Sequence, residues 1–202
     1  MGTRRLPAAF AIAVLAVLVV GTVVACGGGG GGGLTTYTNK DYKFSLTYDS
    51  SLLKENTAVT TKSSAGASAA LRVGFVDPKG TKTDGDYRDG VVVLVYKLSQ
   101  TITDSVLPSV KDYLSTTLLP QLATGYGSSA TIGKLADTQL NGTKGFVTSS
   151  SFSMGGTQFK ARLYFMFQGN VEYQLTMQSA TSRWAELQPQ LQKVIDSFKV
   201  TP

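Results

Sequence analysis

Three dipeptides in the second half of the chain, Asn141-Gly142, Gly155-Gly156 and Gly169-Asn170, constrain the fold more than any other feature. Two-residue hairpin turns need residues that tolerate positive φ, and these pairs supply them. The segments between the pairs have the length of strands. Together they predict a C-terminal four-strand antiparallel meander running from Thr131 to Leu140, Thr143 to Met154, Thr157 to Gln168 and Val171 to Ala180. In the third segment Phe159, Ala161, Leu163, Phe165 and Phe167 share one face. In the fourth, Val171, Tyr173, Leu175 and Met177 alternate with Glu172, Gln174, Thr176 and Gln178, the period of a half-buried strand.

Earlier segments extend the sheet. Tyr42 to Tyr48 alternates strictly between apolar and polar residues and predicts a strand, followed by a turn at Asp49-Ser50-Ser51. Thr57 to Lys62 and Ala69 to Val76 predict two more, the second with Leu71, Val73 and Phe75 on one face. Val91 to Tyr96 is apolar on both faces, which suits a central strand covered on both sides. Two helices complete the list. One is capped by Asp104 or Ser105, carries the stripe Val106, Val110, Tyr113, Leu114, Thr117 and Leu118, holds Pro108 in its first turn and ends at Pro120. The other places Leu191, Val194, Ile195 and Phe198 at helical spacing; Trp184 and Leu187 precede Pro189, so a short turn is expected first and the main helix from Pro189. Helices inserted in a mostly antiparallel sheet give an α+β domain, from residue 34 to 202.

The N-terminus has a different character. Arg4 and Arg5 precede an apolar stretch from Ala8 to Ala25, the layout of a signal peptide over residues 1–25. The string Val23-Val24-Ala25-Cys26-Gly27 resembles the bacterial lipobox. That resemblance implies cleavage after Ala25, a diacylglyceryl group on the Cys26 thiol and an acylated (for example palmitoylated) amino terminus. Two or three acyl chains anchor a protein stably where one does not. An uncleaved membrane anchor is the alternative, because the apolar stretch reaches the lower edge of spanning length. Either way the domain is extracytoplasmic. Gly27 to Gly33 then form an unbroken run, a flexible tether spanning roughly 15 Å. No phosphate-cradle motif surrounds it, since no strand precedes it and no Lys-bearing helix follows.

Composition narrows the chemistry. The 202 residues include no histidine and one cysteine, which removes imidazole bases, Ser-His and Cys-His pairs, and intramolecular disulfides. Removing Arg4 and Arg5 with the leader leaves a side-chain charge of +4, two below the full chain's +6. The basic residues stand singly, so no nucleic-acid stripe forms. The segment 77–90 carries Asp77, Asp84, Asp86 and Asp89; Asp84, Asp86 and Asp89 are candidate hard-oxygen ligands for calcium. The EF-hand spacing fails, because Val95 stands where the bidentate Glu belongs. Lys79, Lys82 and Arg88 also neutralise the segment internally, so a solvated surface loop is expected and no metal is assigned. No G-x-S-x-G elbow occurs, and a carboxylate-pair hydrolase is the residual enzymatic reading. Asn141-Gly142-Thr143 is formally a glycosylation sequon and reads as a hairpin turn. Tyr164-Phe165-Met166-Phe167 reads as core, with a small apolar ligand pocket as its alternative.

The opening strand Tyr42 to Tyr48, the mid-chain helix, the late meander and the closing Val194-Ile195-Asp196-Ser197-Phe198-Lys199-Val200 resemble the Mog1/PsbP-like superfamily, which includes PsbP, DcrB-type and LpqN-type proteins. The resemblance covers about Thr35 to Val200. It implies an α/β/α sandwich in which Ser197-Phe198 ends a helix and anchors the core. Members of the family that bind metals do so partly through histidine, which this chain lacks. The resulting expectation is a lipid-anchored, non-catalytic binding module at the cell membrane, without cofactor or nucleic acid, whose partner is an envelope protein or a small apolar ligand. An assembly or stability factor for a membrane complex, as PsbP resemblance implies, is the alternative.

Overall fold

The computed structural model describes residues 33–56 and 69–201. The leader, Cys26 and the expected strand from Thr57 to Lys62 lie outside the described residues. The strands are β1 Leu34–Asn39, β2 Phe44–Asp49, β3 Lys54–Asn56, β4 Leu71–Val76, β5 Lys82–Thr83, β6 Asp86–Tyr87, β7 Gly90–Ile102, β8 Thr131–Ile132, β9 Ala136–Leu140, β10 Thr143–Met154, β11 Thr157–Ala180 and β12 Lys199–Val200. The helices are α1 Leu107–Tyr113, α2 Leu119–Tyr126 and α3 Trp184–Asp196. The large antiparallel sheet has the order β3-β4-β7-β11-β10-β8, with β9 also on β10, and a small sheet has the order β1-β2-β12.

The meander forms, and its turns have the geometry the glycines predict. Asn141 and Gly142 have φ of 44° and 90°, and Gly155 and Gly156 have 55° and 77°, as mirror-image two-residue turns require. β11 is an unbroken run of 24 sheet residues, yet it doubles back at Gly169-Asn170. Fully extended it would span roughly 80 Å, whereas the Thr181 amide donates to the Gln158 carbonyl at 2.8 Å. Its first arm pairs with β10 and its second with β7. Gly169 itself pairs with Ile102, which keeps the turn within the sheet. The first meander segment departs from expectation. It is interrupted between β8 and β9, where a one-residue register slip against β10 is held by Gly133 N–H to the Ser149 carbonyl and Thr148 Oγ1 to the Gly133 carbonyl.

Both faces of the large sheet are covered, which produces two cores. One lies beneath α3 and the small sheet and gathers Phe44, Leu46, Val73, Phe75, Val93, Tyr173, Leu191, Ile195 and Phe198. The other lies beneath α1 and α2 and gathers Val110, Leu114, Leu118, Phe152, Phe159 and Phe165. Tyr164, Phe165, Met166 and Phe167 are all buried and pack alternately into the two; they are core. The closing motif acts as the resemblance implies. Ser197 Oγ accepts from the Thr47 amide at 2.7 Å and donates to the Val194 carbonyl at 2.7 Å. Phe198 packs at 5.8 Å from the Phe44 ring and 5.4 Å from the Tyr173 ring.

Three helix expectations change. The first helix has no side-chain cap; its N-terminal residue Val106 bonds through backbone to Thr103, and Ser105 turns to the Thr103 hydroxyl instead. Pro120 does not end the helix. A wide turn at Leu114–Leu118, in which the Leu119 amide reaches back to the Leu114 carbonyl, re-spaces the backbone so that Pro120 opens α2. α3 runs through Pro189 without a break. The carbonyl that loses its donor there is that of Ala185, which, like Pro189, is exposed to water.

Replacing Phe198 by Ala is expected to cost about 3–5 kcal/mol in urea unfolding, because its cavity lies between two sheets and a helix. Ser197→Ala should cost about 1–2 kcal/mol, the loss of the Thr47 acceptor.

Candidate functional site

The segment 77–90 is not a solvated loop. Asp77, Asp86, Arg88 and Asp89 are buried, Asp89 completely. The reason lies 94 residues along the chain: Arg183, just before α3, donates through Nη1 to Asp89 and through Nη2 to Asp77 at 2.8 Å. Asp89 also accepts from the Thr81 amide at 2.8 Å, the Thr81 hydroxyl at 3.0 Å and the Ala180 amide at 2.8 Å. Bonds to Asp77 and then Asp89 push the Arg183 guanidinium's affinity for its proton further up. The internal neutralisation expected of Lys79 and Lys82 is therefore supplied by Arg183 and Arg88.

This arrangement separates the candidate calcium ligands. Asp84 is exposed at a turn with φ of 53°, Asp86 lies 3.6 Å from Arg88, and Asp89 belongs to Arg183. Among the described residues no group of three or more acidic or sulfur side chains stands close enough to hold a metal ion.

Clamping the segment brings β6 and Arg88 over the edge of the large sheet, and a cavity of about 30 Å³ opens between them. Asn56, Arg72, Gly74, Asp86, Arg88 and Gln178 contribute to its lining. Arg88 is placed by its Nη2 bond to the Thr83 carbonyl at 3.1 Å and by Gln178, whose amide donates to the Arg88 carbonyl at 2.9 Å. Arg72 enters from β4, opposite Leu94. Burial lowers the Arg72 pKa, and the nearby Arg88 charge lowers it further, while Asp86 and Tyr96 act the other way.

Further along the same sheet face lies a buried polar pair. Glu172 of β11 stands opposite Tyr96 of β7, and they are 1% and 4% exposed. Glu172 accepts from Gln174 Nε2 at 2.8 Å. Burial nonetheless pushes its carboxyl up to about 7. The Tyr96 hydroxyl has no hydrogen-bond partner among the described residues, and burial, then Glu172, drive its pKa well above the ordinary phenol range. Tyr113 of α1 faces Glu172 from above, and its pKa is raised by burial and then by that carboxylate. Arg72, Tyr96 and Glu172 thus form a polar stripe across the sheet. It offers charge and hydrogen bonds to a ligand. Among the described residues it places no serine or cysteine nucleophile beside a base.

The stripe escaped the sequence because alternation marked Arg72 and Glu172 as solvent-facing. The signal that exposes it is Val91 to Tyr96, apolar on both faces. If that strand is covered on both sides, the polar residues of its neighbours are covered too.

Two outcomes test this geometry. Asp89→Ala is expected to lose about 2–4 kcal/mol in urea unfolding, because two amides and Arg183 lose a buried acceptor; Lys144→Ala, which breaks only the exposed pair with Asp104, should change stability by less than about 0.5 kcal/mol. For Glu172 the folded pKa lies above the unfolded one. Its favourable contribution is therefore full below about pH 4.5 and is lost as pH rises through about 7. Glu172→Gln should match the wild type near the lower limit and exceed it at pH 8 by an amount on the order of 3 kcal/mol, measured by urea unfolding at both pH values.

No family model matches the chain, and no curated protein matches it. Among solved structures, its fold is similar to that of cyanobacterial PsbP (CyanoP) from Synechocystis sp. PCC 6803, with a TM-score of 0.55 and 16% identity over 89% of this chain and 99% of that one. A protein from Bacteroides thetaiotaomicron VPI-5482 aligns with a TM-score of 0.51 and 11% identity over 83% of this chain and 48% of that one; the chain spans about half its length. LpqN, involved in cell envelope biogenesis of Mycobacterium tuberculosis, aligns with a TM-score of 0.44 and 14% identity over 86% and 87%. The chain has the α+β, PsbP-type fold that its opening strand, meander and closing helix imply.

Proposed function

We propose that the protein is a lipid-anchored, non-catalytic binding module on the extracytoplasmic face of a bacterial cell membrane. The observation that carries the anchor is the position of Cys26, the only cysteine in the chain, directly after Ala25 and the apolar stretch and directly before the glycine run. A thiol used for acylation needs no structural or redox role, and the domain is held by two hydrophobic cores without one. The polar stripe supports the binding half of the reading: it buries Glu172 and Tyr96 and part of Arg72 at a cost that folding alone does not require. The absence of histidine from the sequence and the lack of a nucleophile beside Glu172 favour binding over catalysis.

A second reading, a stability factor for a membrane complex, is favoured by one feature. Among the described residues β9 pairs on one side only, with β10, and the groove between it and α1, with Leu107 and Phe146 in its lining, could receive an extended segment of a protein partner. Purification from gently solubilised membranes separates the two: a stoichiometric protein supports the second reading, a retained small molecule the first.

Cells expressing Cys26→Ala and fed a labelled fatty acid are expected to show no acylated protein and an accumulated precursor that retains residues 1–25. Labelling equal to that of the wild type would overturn the anchor.

A further inference from the structure

We propose that the cavity between β4 and the 77–90 segment is a binding site for a small oxyanion, a carboxylate or phosphate group, with Arg72 as its principal ligand and Arg88 beside it. This gives a ligand class to the binding module proposed above and rests on that reading for its biological meaning.

Three observations lead to it. First, the charges around the cavity do not cancel. Arg72 comes from β4, and Arg88 and Asp86 come from the clamped segment, while Asn56 of β3 and Gln178 of β11 are neutral. Asp86 lies 3.6 Å from Arg88 and bears on Arg72 as well, so the lining sets two guanidinium groups against one carboxylate; Asp84, which also bears on Arg88, is exposed and outside the lining. Glu172, the acidic group that bears on Tyr96, lies across β7 from Arg72 and outside the cavity lining. Second, the Arg72 guanidinium forms no hydrogen bond or ion pair among the described residues, although the residue is partly buried. A guanidinium offers five donors in a planar fork matched to carboxylate or phosphate oxygens. Partly withdrawn from water, such a fork is an open position for an anion.

Third, the floor of the cavity is a glycine in the middle of a strand. Gly74 pairs with Val92 on the face that carries Arg72. A Cβ built there would meet nothing nearer than 3.8 Å, with Asn56 and Val76 as its neighbours. Neither crowding nor backbone conformation requires glycine at this position, and glycine weakens a strand interior. What it does provide is space beside Arg72. The enclosed volume of about 30 Å³ suits one or two waters, or the oxygens of one small anionic group. A larger ligand would present that group inward and keep its remainder outside.

The test uses the full chain purified in detergent. Sodium phosphate and sodium acetate are titrated while the Arg Nε–Hε resonances are followed by NMR. Sedimentation with phosphatidylglycerol vesicles, against phosphatidylcholine vesicles, asks whether a lipid headgroup supplies the anion. We expect saturable binding of phosphate or acetate, or selective sedimentation with phosphatidylglycerol, that Arg72→Gln weakens by about tenfold or more. Gly74→Val keeps Arg72 and fills the cavity, and it should weaken binding by a similar factor while the thermal midpoint holds or rises. Lys144→Gln, on the far groove, should change binding less than about twofold. Free anion binding and headgroup binding both support the site and tell its two sources apart. No saturable binding by the wild type in any arm overturns the proposal. So does binding that Gly74→Val leaves intact, or salt-sensitive binding that Lys144→Gln lowers as much as Arg72→Gln does. The anchor is judged separately, since a failed titration leaves Cys26 labelling untouched and failed labelling leaves the titration untouched.

Discussion

One carboxylate organises the part of the molecule on which function depends. Asp89 is wholly buried and collects the Thr81 amide and hydroxyl, the Ala180 amide and Arg183. These groups come from the 77–90 segment, the end of β11 and the approach to α3, so a single side chain ties three parts of the chain together. A buried ion pair contributes little net stability over an apolar substitute. Its value is positional: together with the Arg183–Asp77 pair and the Gln178 bond to the Arg88 carbonyl, it holds a polar segment of fourteen residues against the sheet edge. Because the clamp holds, Asp86 and Arg88 hang over β4, and Arg72 acquires a roof.

The large sheet supplies the other half of the site. Its central strand β7 is covered on both faces, by α3 and the small sheet on one side and by the helical layer and the clamped segment on the other. Over β10 and the first arm of β11 that second layer is aromatic and dry, and Tyr126 stacks on Phe152 at 4.2 Å. Over β4, β7 and the second arm of β11 a small apolar cluster of Leu94, Tyr96, Val92 and Ala69 is interleaved with Arg72, Glu172, Gln174 and Gln178 in place of the phenylalanines. The apolar demand of the fold is met by the first region, which leaves the second to carry groups that a stability-driven sequence would avoid burying.

Much of the fold was legible because it is local. Two-residue turns need positive φ, so the glycine pairs announced the hairpins, and alternation placed Leu71, Val73 and Phe75 or Val171 and Tyr173 on the correct face. The errors share a cause in the chain's long-range contacts. Pro120 and Pro189 read as breaks because proline removes a local bond, yet a wide turn and an exposed carbonyl absorb that loss. The 77–90 segment read as solvated because its counterion, Arg183, is remote in sequence. Asp84, Asp86 and Asp89 read as a possible ligand set because spacing says nothing of direction, and only the structure shows Asp86 and Asp89 turned to different arginines. Glu172 and Arg72 read as outward because a period of two cannot tell water from a second layer.

The relation between Arg72 and Glu172 shows why the stripe is arranged as it is. Both bear on Tyr96, from opposite sides and with opposite sign. A carboxylate in direct contact with Arg72 would satisfy the guanidinium and close the site to an external anion. Interposing a tyrosine keeps the two apart, and burial raises the Glu172 pKa to about 7, so that carboxyl does not serve as an internal partner for Arg72. Gln174 supplies the bond that Glu172 needs, which removes the pressure for it to seek a cation. A glycine at position 74 then leaves the approach to Arg72 open where any larger residue would narrow it. The strand glycine and the buried Glu172 carboxyl each work against stability taken alone, and both leave the position beside Arg72 open.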